Sequence, residues 1–306
     1  MMNNLICLAG PTASGKTALA VQLAKELDGE VVSCDSMQVY RRMDIGTAKP
    51  TPEEREGIVH HMLDVAEPEE DYSVSKYCRM ATPIVEDILA RGKACILAGG
   101  TGLYMDSLIQ GNDFAPIPST GVRESLEQEE TEVLLSRLQT VDPASAARLC
   151  DRRRIIRALE VYLETGSTIT EHNRRTQELP PKFHPLWLAL DFENRQDLYD
   201  RINLRVDLML EMGLIEEIRN LLDSGIPETC TAMQAIGYKE FVAALKGNGS
   251  IASAAEEVKK GSRHYAKRQL TWFRRNKAIH WLTRKADTPS QEILSAARQI
   301  IREFDN

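Results

Sequence analysis

Gly10-Pro11-Thr12-Ala13-Ser14-Gly15-Lys16-Thr17 follows the apolar run Leu5-Ile6-Cys7-Leu8-Ala9 and precedes a helical pattern over residues 18–27. This is a complete G-x-x-x-x-G-K-[ST] phosphate loop in its required order of strand, loop and helix. The glycines let backbone N–H groups turn inward on a phosphate oxygen. Lys16 adds a point charge, and the Thr17 hydroxyl is placed to hold Mg²⁺ at the positive end of the new helix. The loop therefore predicts binding of a di- or triphosphate, and leaves open whether that compound is a nucleotide.

Working outward, the first third alternates strand and helix: strands at residues 5–9, 31–34, 61–65 and 94–98, helices at 16–27 and 75–90. That is the α/β pattern of a parallel sheet with helices on both faces, here a phosphate-loop NTPase-like core. From Gly111 the pattern changes. Phe114-Ala115-Pro116-Ile117-Pro118 reads as a linker, and residues 123–138, 143–149 and 154–165 read as helices with no strand between them. Trp187-Leu188-Ala189-Leu190 returns to the sheet. Helices are then expected at 197–212, 216–223, 233–245 and 251–276, a strand at 279–282 and a closing helix at 290–304. The expected organisation is a core of residues 1–110 and 186–306 carrying an all-helical insertion, 111–185.

With 306 residues, 42% of them apolar, the chain can bury a full core. No apolar stretch approaches the ~20 residues that span a bilayer, and the first apolar run is too short for a signal peptide, so a cytoplasmic location is expected. The six cysteines form no C-x-x-C pair, which favours reduced thiols and no structural metal. No heptad seam is visible, and a monomer is expected.

The net charge of −7 argues against a polyanion partner on average. Local composition argues the other way. Residues 259–277 carry Lys259, Lys260, Arg263, Lys267, Arg268, Arg274, Arg275 and Lys277 with no acidic residue, and Arg152-Arg153-Arg154 with Arg157 forms a second cluster. Either cluster alone could be a solvated helix face. Together, in an acidic chain, they favour a local polyanion site.

Ligands of open α/β sheets lie beyond the carboxyl ends of the strands, where Asp35 follows Val31-Val32-Ser33-Cys34. A carboxylate there suits a general base, or else caps a turn or supports Mg²⁺. Gly99-Gly100-Thr101-Gly102 ends another strand. It offers close backbone approach and one hydroxyl, or simply a tight turn.

Several segments together resemble the bacterial tRNA dimethylallyltransferase family. They are the phosphate loop, Asp-Ser-Met-Gln-Val-Tyr (35–40), Asp-Ile-Gly-Thr-Ala-Lys-Pro (44–50), His-His-Met-Leu-Asp (60–64), Gly-Gly-Thr-Gly-Leu-Tyr (99–104), Arg-Ala-Leu-Glu-Val (157–161), Ala-Ile-Gly-Tyr-Lys-Glu (235–240) and Ala-Lys-Arg-Gln-Leu-Thr-Trp-Phe-Arg (266–274). The likeness runs in order over nearly the whole chain. It implies transfer of a dimethylallyl group from dimethylallyl pyrophosphate to N6 of adenosine 37 of tRNA, with Mg²⁺.

On this resemblance, the loop from Gly10 to Thr17 holds the pyrophosphate, Lys16 and Arg205 face it, Asp35 takes the N6 proton and Thr101 contacts the reacting adenosine. The tRNA anticodon stem-loop is expected against Asp35, Ser36, Met37, Gln38, Thr101, Arg123, Arg153, Arg154, Ile155, Ile156 and Arg157. Where the family commonly has Ile-His-Pro-Asn-Asp before its arginines, this chain has the shorter Leu149-Cys150-Asp151. Rival readings are a small-molecule kinase, a cytokinin-type transferase acting on free adenylate and, more distantly, a nonenzymatic RNA-binding protein.

Overall fold

A computed structural model describes residues 4–111 and 120–305. The linker expected at 114–118 lies outside the described residues. The chain divides after Gly111 and before Phe183 into two compact units.

The first unit is built on a six-stranded sheet in the order β3-β2-β4-β1-β5-β6, every neighbouring pair parallel. Its strands are β1 (Leu5–Ala9), β2 (Gly29–Ser33), β3 (His60–His61), β4 (Ala94–Ala98), β5 (Leu186–Phe192) and β6 (His280–Arg284). β1 is buried along its whole length, as its unbroken apolar run requires of a central parallel strand. Helices α1 (Lys16–Glu26), α2 (Pro52–Arg55), α3 (Val74–Ala90) and α4 (Gly102–Gln110) connect the first four strands. The strand expected at 61–65 shortens to β3 because Met62 and Asp64 take left-handed backbone angles, φ 62° and 55°.

The second unit holds α5 (Val122–Leu126), α6 (Thr131–Val141), α7 (Pro143–Ala146), α8 (Arg152–Thr165) and α9 (Ile169–Glu178). One helix expected over 123–138 is two. Glu130 is extended, and Arg152 donates to the freed Glu127 and Glu129 carbonyls at 3.0 and 2.6 Å. α9 was not anticipated, although Thr168 and Glu171 form a reciprocal capping box at its start. Leu126, Leu134, Leu138, Ile155, Ile156 and Leu159 form this unit's core. Each such side chain contributes roughly 1.5–3 kcal/mol on burial.

The chain then returns to the sheet and continues as α10 (Arg195–Glu211), α11 (Leu214–Asp223), α12 (Lys239–Leu245), α13 (Ile251–Phe273) and α14 (Ser290–Asp305). The helix expected from Met233 begins only at Lys239, because Gly237 stands at φ 94°. α1 and α14 pack on one sheet surface through Leu19, Leu23, Ile293, Leu294 and Ala297. Phe192, Leu198, Ile202, Ala266 and Leu270 bring α10 and α13 together with β5.

Candidate active site

The phosphate loop leaves the central strand where β1 lies between β4 and β5. Gly10, at φ 142°, lies so close to β5 that a Cβ would fall 2.9 Å from the Leu190 carbonyl oxygen. Gly15, at φ 96°, opens α1 with no side-chain cap. The first-turn N–H groups are thus left for an anion, with the helix dipole behind them. Ser14 Oγ is buried and has no hydrogen-bond partner among the described residues. Lys16 Nζ folds back on the Pro11 carbonyl at 2.6 Å, and Arg201 Nε holds the Ala13 carbonyl at 3.0 Å.

One cavity of about 370 Å³ opens beside this loop. Thr12, Lys16 and Thr17 line it, as do Asp35, Ser36, Met37 and Gln38 beyond β2, Gly99 and Gly100 beyond β4, and Arg205 of α10. The sequence-predicted donor and acceptor residues therefore meet at one place, on the carboxyl side of the sheet. Asp35 Oδ1 accepts the Met37 and Gln38 N–H groups at 2.8 and 3.4 Å, so the turn-capping reading holds. Oδ2 carries no hydrogen bond among the described residues and is available to a proton. Thr101 does not line the cavity. Its Oγ1 accepts the Ser36 N–H at 3.1 Å and so positions the Asp35 turn from behind.

The cavity walls contain residues that sequence reasoning missed. Ile202, Val206 and Met209 of α10, with Ile236 and Val258, supply an apolar side. Ile202, Arg205, Val206 and Met209 fall at helical i, i+3, i+4, i+7 spacing, a signal that could have placed them on one face. Gly46, Thr47 and Ala48 form another wall, fixed by Glu217. That carboxylate accepts the Asp44, Ile45 and Gly46 N–H groups at 2.7, 2.7 and 3.1 Å and the Tyr238 hydroxyl at 2.7 Å. Buried Lys49 bonds Asp44 and Asp64, both at 2.6 Å. The 44–50 and 60–64 segments thus brace the wall.

The cavity's cations are poorly solvated. Burial, then the Arg205 guanidinium, pushes Lys16 down to about 7, against the opposing pull of Asp35. Burial also lowers Arg205, with Asp35 opposing. Both groups become more favourably charged when an anion enters.

The basic clusters divide on inspection. Along α13, Lys259 pairs with Asp207 and Glu256, Lys260 with Glu257, and Arg274 with Asp191. The stretch is acid-free in sequence but partly neutralised in space. Lys267, Arg268 and Arg275 have no such pair among the described residues; Arg268 lies over the Tyr265 ring and Arg275 over Trp272. In the helical unit, Arg123 reaches Glu127 and Glu160, and Arg157 reaches Glu160, while Arg153 and Arg154 are exposed without an ion pair among the described residues. Ile155 and Ile156, expected against tRNA, are only 1% and 3% exposed. Their side chains pack in this unit's core and hold the arginine helix in place.

Among the described residues, no group of three or more His, Cys, Asp or Glu converges as a metal site, and no helix is long and apolar enough to cross a membrane. The parallel sheet, the loop after its central strand and the cavity at the strand ends define a phosphate-loop α/β protein. More particularly, the chain belongs to the IPP transferase family, which matches it over residues 38–276. The phosphate loop and Asp35 precede that match, so their likeness rests on relatives aligned over longer stretches. The tRNA dimethylallyltransferase of Acetivibrio thermocellus is 41% identical over 99% of each chain, and that of Thermoanaerobacter sp. strain X514 is 47% identical over 92% of each. Among solved structures, the full-length tRNA isopentenylpyrophosphate transferase of Bacillus halodurans is 40% identical, covering 98% of this chain and 97% of its own, with a TM-score of 0.74. A eukaryotic dimethylallyltransferase acting on tRNA is 31% identical, covering 98% of this chain and 79% of its own, with a TM-score of 0.83.

Proposed function

We propose that the chain transfers a dimethylallyl group from dimethylallyl pyrophosphate to N6 of adenosine 37 of tRNA, releasing pyrophosphate. The observation that carries this reading is one cavity joining a phosphate loop, a carboxylate and an apolar wall. The phosphate loop and its cations suit the pyrophosphate, and Val206, Met209, Ile236 and Val258 suit the hydrocarbon.

An exocyclic adenine amine is a poor nucleophile because its lone pair is delocalised into the ring. The C1–O bond of the donor must therefore weaken early. The amides opening α1, with Lys16 and Arg205, stabilise the negative charge that gathers on the departing pyrophosphate. As the N6 lone pair forms the new bond to C1, the C1–O electrons leave with pyrophosphate and Asp35 accepts the N6 proton.

The donor set fits Mg²⁺, which binds through few protein oxygens and keeps waters and phosphate oxygens as its other ligands. Thr17 would hold it, and the ion would supply further positive charge at the leaving group. Arg153 and Arg154, with Arg123 and Arg157 nearby in the same unit, suit the phosphates of an anticodon stem-loop, and a tRNA substrate fits work in the cytoplasm. The chain acts as a monomer on this reading.

Incubation with dimethylallyl pyrophosphate and unmodified tRNA, followed by nucleoside analysis, tests the proposal. Prenylated adenosine in the tRNA is expected without ATP. Prenylation of free adenylate alone, or consumption of ATP with an acceptor, would replace it by one of the rival readings.

A further inference from the structure

The motif Ala266-Lys267-Arg268-Gln269-Leu270-Thr271-Trp272 lies on α13, remote in sequence from both the phosphate loop and the turn after β4, yet its side chains bind both. Gln269 is 5% exposed. Its Oε1 accepts the Thr12 N–H at 3.0 Å and its Nε2 donates to the Gly100 carbonyl at 3.0 Å. One acceptor and one donor on opposite partners fix which way the amide points.

The surrounding residues are shaped to admit this side chain. A Cβ at Gly100 would fall 2.0 Å from Gln269 Nε2, so the amide requires glycine there. One turn earlier, Tyr265 lines the same cavity as Gln269. One turn later, the Trp272 indole N–H donates to Asp106 Oδ2 at 2.7 Å, and a Cβ at Gly102 would collide with the ring at 2.2 Å. The three residues follow i, i+4, i+7 spacing and present one face of α13 to the loops.

The last backbone bond between β1 and β4 is the Gly99 N–H to the Leu8 carbonyl at 3.2 Å, and further out no backbone hydrogen bond among the described residues joins the loop after β1 to Gly100 or Thr101. Gln269 supplies the missing link. Thr12 belongs to the loop assigned to the leaving group, and Gly100 adjoins Thr101, which holds the Asp35 turn through Ser36. We propose that Gln269 is a positioning residue that holds the pyrophosphate loop and the acceptor-side turn at one separation, so that the donor carbon and the acceptor nitrogen meet within reacting distance. The inference rests on the transfer reading. The Thr12 N–H is then committed to α13 and the Ser14 N–H to the Pro11 carbonyl at 3.4 Å, leaving the Gly15, Lys16 and Thr17 amides for the anion.

Gln269→Met keeps the length of the side chain and removes both hydrogen bonds. At saturating tRNA and donor, its single-turnover rate is expected to fall by about 100-fold, the scale of a small misplacement of reacting groups. Affinities for inorganic pyrophosphate and for tRNA, each measured alone, should stay within a few-fold of wild type. A merely structural role predicts the reverse: loss of both affinities or of folding, with the saturated rate kept. A rate within a few-fold of wild type overturns the inference, and so does a loss explained by weaker binding of one substrate. Should Gln269→Met fail to fold, amide hydrogen exchange in the wild type decides. Thr12 N–H is expected to be protected before and after pyrophosphate is added, and rapid exchange in the free protein overturns the inference. A wild type that prenylates no tRNA overturns the transfer reading without altering the Thr12 result.

Discussion

The cations beside the phosphate loop and those on the helical unit are arranged in opposite ways. Lys16 and Arg205 are half-buried on the cavity wall, have no ion pair among the described residues, and are held below their ordinary pKa by burial and, for Lys16, by the Arg205 charge. Arg123, Arg153, Arg154 and Arg157 of α5 and α8 are exposed, and Arg123 and Arg157 already lean on glutamates. Exposed pairs of this kind contribute little to stability and exchange readily. The cavity cations store an unfavourable state that one anion relieves, which concentrates their effect on the step that creates that anion. The helical unit's cations trade one partner for another, which suits a reversible hold on a long polyanion.

The sharpest test of the cavity side is Asp35→Asn. The amide keeps the shape and the turn-capping acceptor but cannot take a proton. Single-turnover transfer is expected to drop by about 10²–10⁴-fold with tRNA affinity within a few-fold. A rate near wild type at neutral pH would remove Asp35 as the base.

Next in size is the behaviour of Lys16. Lys16→Ala should weaken donor use strongly and Thr17→Ala less, the latter partly restored by raised Mg²⁺. The pH dependence has a definite sign. Lys16 titrates at about 7 in the free protein, and a bound pyrophosphate group favours its charged form, so donor binding takes up protons. Well below pH 7 the lysine is already charged and no uptake remains. As pH rises through 7, uptake grows and the Lys16 contribution to affinity declines by up to roughly tenfold per unit. Calorimetry in buffers of different ionisation enthalpy measures the uptake. Lys16→Met provides the baseline set by the donor's own phosphate, and equal uptake in both proteins would refute the assignment.

Those residues were legible because their signals are local. The loop's spacing specifies a strand before it and a helix after it within a few residues, and Asp35 directly follows a recognisable apolar strand. The rest of the cavity comes from distant partners. Nothing near Gly46 announces that Tyr238 will pack on it or that Glu217 will bind three consecutive amides around it. The break between α5 and α6 depends on Arg152, whose capture of two carbonyls is invisible to a helical pattern. Residues 259–277 looked uniformly basic because Asp191 and Asp207 reach them from β5 and α10. Ile155 and Ile156, named with the arginines through the family resemblance, have side chains buried in the core of the helical unit, a placement that the amphipathic pattern of α8 carries.

The smallest expected effect separates two arginines of α8. Arg157 donates to Glu160 at 2.8 Å, whereas Arg154 is exposed with no ion pair among the described residues. A phosphate binding Arg154 meets no competitor. At Arg157 it must displace a carboxylate, and the glutamate left behind repels it. Arg154→Ala should therefore lower tRNA affinity severalfold and flatten the plot of log affinity against log salt by about one unit, the loss of one phosphate contact. Arg157→Ala should change both by less. Glu160→Ala should move affinity slightly upward, because it frees Arg157 and also Arg123, which shares that carboxylate. Dimethylallyl pyrophosphate binding should be the same in all three variants. Affinity across a salt series measures the contrast. Equal slopes for Arg154→Ala and wild type would make this helix an ordinary solvated face, and equal losses at Arg154 and Arg157 would show that the Glu160 pair does not survive in solution.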